Sequence, residues 1–233
     1  MKLKAGQMFD SVIEKYFKNI VINLIFSAVI TFLFYIESRI PAAANPDAKV
    51  LAVIIVCKII GVLFCAVHTA CIMHRFPCKD VRLLLTVFIW SMIFFAMDFL
   101  MRICCSKWMI NEKITAVIFA AIYILLSGIM TFSLSVCICK HKVSLFHLFF
   151  GNIWPFLKMT GYCVVVFVIL FVLTVNPVNT TGGKRGVRVV PKEITEKWEP
   201  IILSAVIFLF VPMYNIAIIQ LFQSISDANN SSE

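Results

Sequence analysis

Residues 50–73, VLAVIIVCKIIGVLFCAVHTACIM, decide the fold class of this chain, because one charge, Lys58, interrupts an otherwise apolar run. A run of about 20 apolar residues spans the hydrocarbon core of a bilayer as a helix. A central lysine costs about 2.5–3.5 kcal/mol, and each large apolar residue returns about 0.3–0.6 kcal/mol. The thirteen Val, Leu, Ile and Phe residues of the run outweigh that cost. The sequence therefore predicts a transmembrane helix here.

Apolar runs of similar length lie on both sides of this one. The chain has 233 residues, of which 61% are hydrophobic and 14% are charged, whereas a soluble domain carries about 25% charge. Peptide groups in lipid need partners within their own segment, so the runs indicate helices rather than strands. The predicted fold is all-α, a polytopic membrane protein with one domain at 20–223. Its spans are predicted at about 20–36, 50–73, 83–101, 114–139, 155–175 and 201–222.

Two amphipathic segments are predicted to lie as helices in the head-group plane. In residues 1–19, apolar side chains such as Val12 and Tyr16 recur at helical spacing, opposite charged ones such as Glu14. Residues 140–158 carry one polar stripe, and Pro155 suits the first turn of the fifth span, where proline costs no hydrogen bond. Residues 176–200 are a polar loop, and residues 224–233 are predicted to form a disordered tail.

The orientation of the chain depends on its basic residues, which divide evenly between the two faces of the predicted bundle. Early segments usually dominate insertion, and the positive residues before the first span outnumber those of the loop after it. This bias predicts that both termini are cytoplasmic. Ala42-Ala43-Ala44 is similar to a signal-peptide cleavage site, but the first run is longer than a signal core and follows an amphipathic segment. A retained helix is therefore favoured.

The net charge of +9 comes from Lys and Arg in short loops, where they act as topology signals and contact phospholipid head groups. No basic stretch is interleaved with stacking aromatic residues. The expected partners are the lipid bilayer, with other membrane proteins or further copies of the chain, and no nucleic acid. Nine Cys are present, several of them within spans and none in a CxxC pair, so no disulfide framework is expected.

Lys58 and Asp98 are the only formal charges well inside predicted spans, and they are predicted to form an intramembrane charged pair. Intramembrane charges often mark an ion or proton pathway. A structural ion pair, or a Lys58 that extends alone towards the head groups, explains them more simply and is preferred. Because Asp98 is the only acid inside a span, a site with two intramembrane carboxylates is not expected.

The four His lie near span ends that share one membrane face, together with several Cys. Residues 68, 71, 74 and 78 would gather within one arc of a continuous helix, and a second group follows the fourth span. Imidazole and thiolate suit zinc, copper or haem, but interfacial His and packing Cys are the simpler explanation. No cofactor and no confident metal site is predicted. The candidate ligands are His68, Cys71, His74, Cys137, Cys139 and His141.

Common catalytic signatures are absent from the sequence, so it predicts no enzyme and no catalytic residue. The stretches Tyr16-Phe17-Lys18-Asn19 and Phe149-Phe150-Gly151-Asn152-Ile153-Trp154 resemble those of a family of small bacterial inner-membrane proteins with six spans. These motifs are too short to assign the family. The resemblance implies a bacterial inner (cell) membrane. The expected function is a non-enzymatic membrane component, meaning a scaffold, an envelope-maintenance protein or a subunit of an assembly. The alternative is a small transporter or channel that uses Lys58 and Asp98.

Overall fold

The computed structural model describes residues 5–38, 40, 47–75, 81–107, 112–139, 153–175 and 192–230. Within these ranges the chain forms seven α-helices and no strand, which confirms the all-α prediction. The helices are α1 (Ala5–Lys18), α2 (Ile20–Ser38), α3 (Ala48–Ile72), α4 (Val81–Lys107), α5 (Glu112–Ile138), α6 (Ile153–Val175) and α7 (Lys192–Asn230).

Four of the described helices are long and apolar enough to cross a membrane. The qualifying segments are Ile20–Glu37, Ala48–Ile72, Val81–Met101 and Ile118–Ile138. They belong to α2, α3, α4 and α5 and coincide with the first four predicted spans. Their length and hydropathy indicate a membrane protein.

The helix ends differ from the predicted ones at several places. The predicted first span ended at residue 36, but helix α2 continues through residue 37 to Ser38. The helix can continue because Glu and Ser are tolerated in a helix at little cost. Helix α7 begins at Lys192 and continues to Asn230, so it includes part of the predicted loop and most of the predicted disordered tail. Pro155 lies in the first turn of α6, as expected. The second amphipathic segment falls largely at 140–152, outside the described residues.

Helices α1 and α2 are joined at Asn19 with almost no connecting loop. The amide of Asn19 caps α1, because its Nδ2 donates to the Lys15 carbonyl at 3.0 Å. One turn later, Nδ2 of Asn23 donates to the Tyr16 carbonyl at 2.8 Å. These bonds satisfy two of the terminal carbonyls that a helix leaves without intrahelical partners. Val12 and Tyr16 are buried in the core, so α1 packs against the bundle.

Helix α7 lies at the centre of the bundle and contacts α1, α2, α3, α5 and α6. Its residues 214–222 are all buried, which requires neighbours on every side of the helix. The Tyr214 hydroxyl donates to the Ile124 carbonyl at 3.0 Å and lies 3.2 Å from Oγ1 of Thr160. Gly128 makes this close approach of α5 and α7 possible, because a Cβ at that position would overlap the Tyr214 hydroxyl.

Helix α3 ends in a Schellman motif, and this ending decides where two candidate metal ligands lie. The amide of Arg75 donates to the Ala70 carbonyl at 3.0 Å, and the amide of His74 donates to the Cys71 carbonyl at 3.1 Å. His74 occupies the left-handed position of the motif, with a φ of 52°. The helix therefore ends before His74 rather than continuing through it.

Candidate functional site: an intramembrane charged cluster

Three charged side chains from three helices meet between α2, α3 and α4. Nζ of Lys58 lies 2.7 Å from Oε2 of Glu37 and 2.6 Å from Oδ2 of Asp98. The structure thus brings together the two residues that the sequence predicted as a pair, and it adds Glu37. We call Glu37, Lys58, Asp98 and the adjoining Tyr123 the charged cluster.

Tyr123 connects the charged cluster to a fourth helix, α5. Its hydroxyl donates a hydrogen bond to Oδ1 of Asp98, so that carboxylate accepts from both Tyr123 and Lys58. The ammonium of Lys58 also lies 5.6 Å from the centre of the Tyr123 ring, within the range of a cation–π contact. Phe94 stacks on the Tyr123 ring, with the ring centroids 5.5 Å apart.

The charged side chains of the cluster are largely withdrawn from solvent. The side chain of Lys58 is 13% exposed, and those of Glu37 and Asp98 are each 18% exposed. A Lys58 that extends alone to the head groups is inconsistent with this burial and with its two partners. With all groups ionised, the cluster contains two carboxylates and one ammonium.

The sequence argument against two intramembrane carboxylates is therefore wrong. It placed Glu37 in the loop after the first span, but α2 continues to Ser38 and turns Glu37 towards α3. Lys58 lies well inside α3, and a lysine side chain can reach partners at a different depth from its own backbone. One feature of the sequence could have predicted that Glu37 belongs to the helix. It follows directly after the last apolar residue of the first span, with no proline or glycine between them.

A second polar group lies at the other end of α2, around His68 of α3. Nε2 of His68 lies 2.8 Å from Oδ1 of Asn23, and the imidazole stacks on Phe26 with ring centroids 4.1 Å apart. Since Asn23 donates through Nδ2 to the Tyr16 carbonyl, its Oδ1 is the acceptor and Nε2 of His68 carries the hydrogen. Nδ1 of His68 is then an acceptor, and it is buried without a partner among the described residues.

Asn215 of α7 and Thr131 of α5 form a second buried polar pair. Oδ1 of Asn215 accepts from Oγ1 of Thr131 at 3.0 Å, while its Nδ2 is buried without a partner in the described part of the chain. We call these two pairs, Asn23 with His68 and Asn215 with Thr131, the neutral network. All four side chains are buried.

The candidate metal ligands are not gathered at one point. No group of three or more His, Cys, Asp and Glu side chains within the described ranges is arranged to hold a metal ion. His68 is engaged by Asn23 and Phe26, and His74 is exposed beyond the end of α3. Sγ of Cys137 lies 3.4 Å from the Thr86 hydroxyl instead. Cys71 and Cys139 are partly exposed, and His141 is outside the described residues.

No protein-family model matches the chain, and searches of curated proteins and of solved structures find no match. Function has therefore to be inferred from the residues and their geometry.

Proposed function

We propose that this protein is a non-enzymatic membrane transporter of about six spans, and that it moves a small cation through the charged cluster. The observation that carries this proposal is the second carboxylate beside Lys58. A structural ion pair needs one acid for one lysine, but Lys58 has carboxylates on both sides. Burying a second acid costs free energy, and intramembrane ionisable residues usually mark a transport pathway.

The geometry suggests how such a cluster would work. Lys58 occupies the position of a cation bound between two carboxylates, and its flexible side chain can leave that position. A proton or a monovalent cation that reached Glu37 or Asp98 would neutralise that carboxylate and compete with Lys58 for it. The ion pairs of Lys58 with Glu37 and Asp98, which join the helices at the cluster, would then break when the cation binds and form again when it leaves.

The proposal is tested with the purified full chain in vesicles of phosphatidylethanolamine and phosphatidylglycerol. Proton, sodium and potassium fluxes are followed under an imposed ion gradient and potential. The wild type should carry one of these cations, and Glu37→Gln, Asp98→Asn and Lys58→Met should each abolish that flux. Ser91→Ala is the control, because Ser91 is buried on the same helix as Asp98 but donates only to the Val87 carbonyl. Absence of all three fluxes from the folded wild type would overturn the proposal.

A second role, as a structural membrane component, is favoured by one observation. The charged cluster joins α2, α3, α4 and α5, so it could serve only to hold these helices together. In that case the wild type carries no cation, while Lys58→Met still lowers stability. Stability and flux measured on the same variants therefore separate the two roles.

The proposed topology has both termini in the cytoplasm of a bacterial cell and the α2–α3 connection outside. Single cysteines in a Cys-less background should be labelled from the outer face at 40–47 and 180–195. Positions 76–80 and 141–146 should be labelled only from the inner face. Labelling of 40–47 and 76–80 from the same side would contradict the scheme, because α3 would then not cross the membrane.

A further inference from the structure

Helix α2 carries two buried hydroxyl groups without a hydrogen-bond partner, unlike the other buried Ser and Thr hydroxyls of the described ranges. Ser and Thr inside a helix usually donate to the carbonyl four residues earlier. Thr69, Ser91 and Ser133 do so, at 2.7, 2.7 and 2.8 Å. Oγ of Ser27 and Oγ1 of Thr31 are equally inaccessible, but neither has a partner among the described residues.

The two hydroxyls lie between the neutral network and the charged cluster. Asn23, Ser27 and Thr31 follow one another at four-residue intervals, about 6 Å apart along the helix axis, and Glu37 lies about 9 Å beyond Thr31. At about 100° per residue, all four positions fall within roughly 120° of arc, on one side of α2. This polar side thus extends over about 21 Å, a large part of the roughly 30 Å hydrocarbon core.

Helix α3 presents matching groups along the same length. Lys58 and His68 are about 15 Å apart along its axis, and the two helices are in contact between them, at Leu33 and Gly61. His68 contacts Asn23 at one end, and Lys58 contacts Glu37 at the other. His68 is only 2% exposed, and its Nδ1 has no partner in the described part of the chain.

We propose that water molecules bind along this side of α2 and carry protons between His68 and Glu37. The unpartnered atoms have complementary chemistry, since the Ser27 and Thr31 hydroxyls can donate and accept while Nδ1 of His68 accepts. Buried water typically binds where polar groups would otherwise lack partners. We call the atoms Ser27 Oγ, Thr31 Oγ1 and His68 Nδ1 the water path.

The proton balance is closed at each step. A proton that arrives from the side where α3 ends binds Nδ1 of His68 and gives an imidazolium, whose Nε2–H still donates to Asn23. It leaves Nδ1 for a water molecule and passes along the hydroxyls to the Glu37 carboxylate, which becomes a neutral acid. The charged cluster then has one carboxylate and one ammonium, and Lys58 keeps Asp98 as its partner.

This inference rests on the proposed transport function, and its first test does not depend on flux. The full chain, labelled with ¹⁵N-histidine, is studied by proton-detected solid-state NMR in the same vesicles. Magnetisation should transfer from water to the Nδ1 side of the His68 imidazole. A His68 signal without water contact would overturn the water path, whether or not the protein transports cations.

The second test compares two buried threonine hydroxyls, that of Thr31, which has no hydrogen-bond partner among the described residues, and that of Thr69, which has one. Thr31→Val should lower proton flux by about tenfold, equivalent to about 1.4 kcal/mol of barrier, and Thr31→Ser should restore it. Thr69→Val is the matched control, because Thr69 is buried beside His68 but donates to the Cys65 carbonyl. His68→Gln should also lower flux, since an amide can donate to Asn23 but has no basic nitrogen that binds and releases a proton as Nδ1 does.

The outcomes of the two tests separate the two proposals. If Glu37→Gln abolishes proton flux but the Thr31 and His68 variants conduct normally, the water path is wrong and the charged cluster remains the transport site. If sodium or potassium is transported and protons are not, the water path is also wrong. If no cation is transported, the proposed function fails, and the NMR result alone decides whether water binds beside His68.

Discussion

Glu37, Lys58 and Asp98 meet near one end of α2, whereas Asn23 and His68 meet near its other end. In the charged cluster both carboxylates share one ammonium, and Asp98 accepts from a tyrosine as well. In the neutral network, by contrast, His68 and Asn215 each keep a buried polar atom without a partner among the described residues. Removing charge and removing hydrogen bonds should therefore have different consequences at the two ends.

The largest effect on stability is expected from Lys58→Met. The substitution leaves two carboxylates facing each other in a poorly solvated place, and breaking a buried ion pair costs about 3–5 kcal/mol. Unfolding in mixed micelles measures the loss. Lys49→Met is the matched control, because Lys49 is exposed near the start of the same helix and should be nearly silent.

A variant that neutralises the whole cluster sharpens this prediction. Glu37→Gln and Asp98→Asn combined with Lys58→Met should recover much of the lost stability, since replacing every member of a buried ionic group is often neutral. Strict additivity of the three changes would show that the side chains do not interact, contrary to the structure.

A smaller effect is expected in the neutral network, and it should depend on which asparagine is replaced. Asn23→Leu leaves the Nε2–H of His68 and the Tyr16 carbonyl without partners, at about 1–3 kcal/mol for each buried group. Asn215→Leu has a similar volume but removes an atom that is already unpartnered, while Thr131 keeps the Ser127 carbonyl as an acceptor. Asn215→Leu should therefore be close to neutral. Equal losses in unfolding experiments would contradict this assignment.

Packing beside the neutral network can be tested at Gly128. Gly128→Ala should lower stability by about 1–3 kcal/mol, as overpacking does, because the added Cβ overlaps the Tyr214 hydroxyl. Adding Tyr214→Phe removes the overlapping oxygen and should recover part of the loss. Gly161→Ala is the control, because no atom lies within 4 Å of its added Cβ. In a helix that change should stabilise slightly.

The hydropathy of the chain predicts α2, α3, α4 and α5, because an apolar run must be helical in lipid whatever its neighbours are. Lone charges within such runs are equally visible, so Lys58 and Asp98 stand out from sequence alone. Glu37 does not, since its role depends on α2 continuing beyond the apolar run. The residue spacing grouped His74 with His68 because it assumed that α3 continues through residue 74. The spacing does not reveal the left-handed conformation of His74, which ends the helix.

The neutral network could not be predicted, because its members lie far apart in sequence and meet only when the helices pack. Asn23 and His68 are 45 positions apart, and Thr131 and Asn215 are 84 apart. The side chain of an Asn, Ser or Thr in an apolar run can have one of three roles. It can bond to the backbone of its own helix, fill space in the core, or bond to a neighbouring helix. Which of these applies depends on the facing helix, which the sequence alone does not supply.

The smallest expected effect on stability concerns Lys15 of α1. Nζ of Lys15 donates to Oε1 of Gln223 at 2.8 Å, and burial lowers the pKa of Lys15 below 10.5, with Asp227 opposing the shift. The folded state thus binds this proton less tightly than the unfolded state does. Stability should rise as pH increases from the lowered pKa to 10.5, and the gain should be complete above it.

The pH dependence of thermal unfolding in detergent measures this effect by difference. Lys15→Gln should lack the rise in stability near pH 10.5, because its amide does not titrate. Lys18→Gln should keep most of the rise, because burial, and not the nearby Lys18 charge, is the largest cause that lowers the pKa of Lys15. Lys18 is exposed on the same helix and undergoes the same chemical change, so it controls for the other basic groups of the chain. If both variants show the wild-type rise, Lys15 is as well solvated in the folded protein as in the unfolded chain. In that case α1 does not bury the lysine, and the Ser11–Gln220 hydrogen bond remains as a polar contact between α1 and α7.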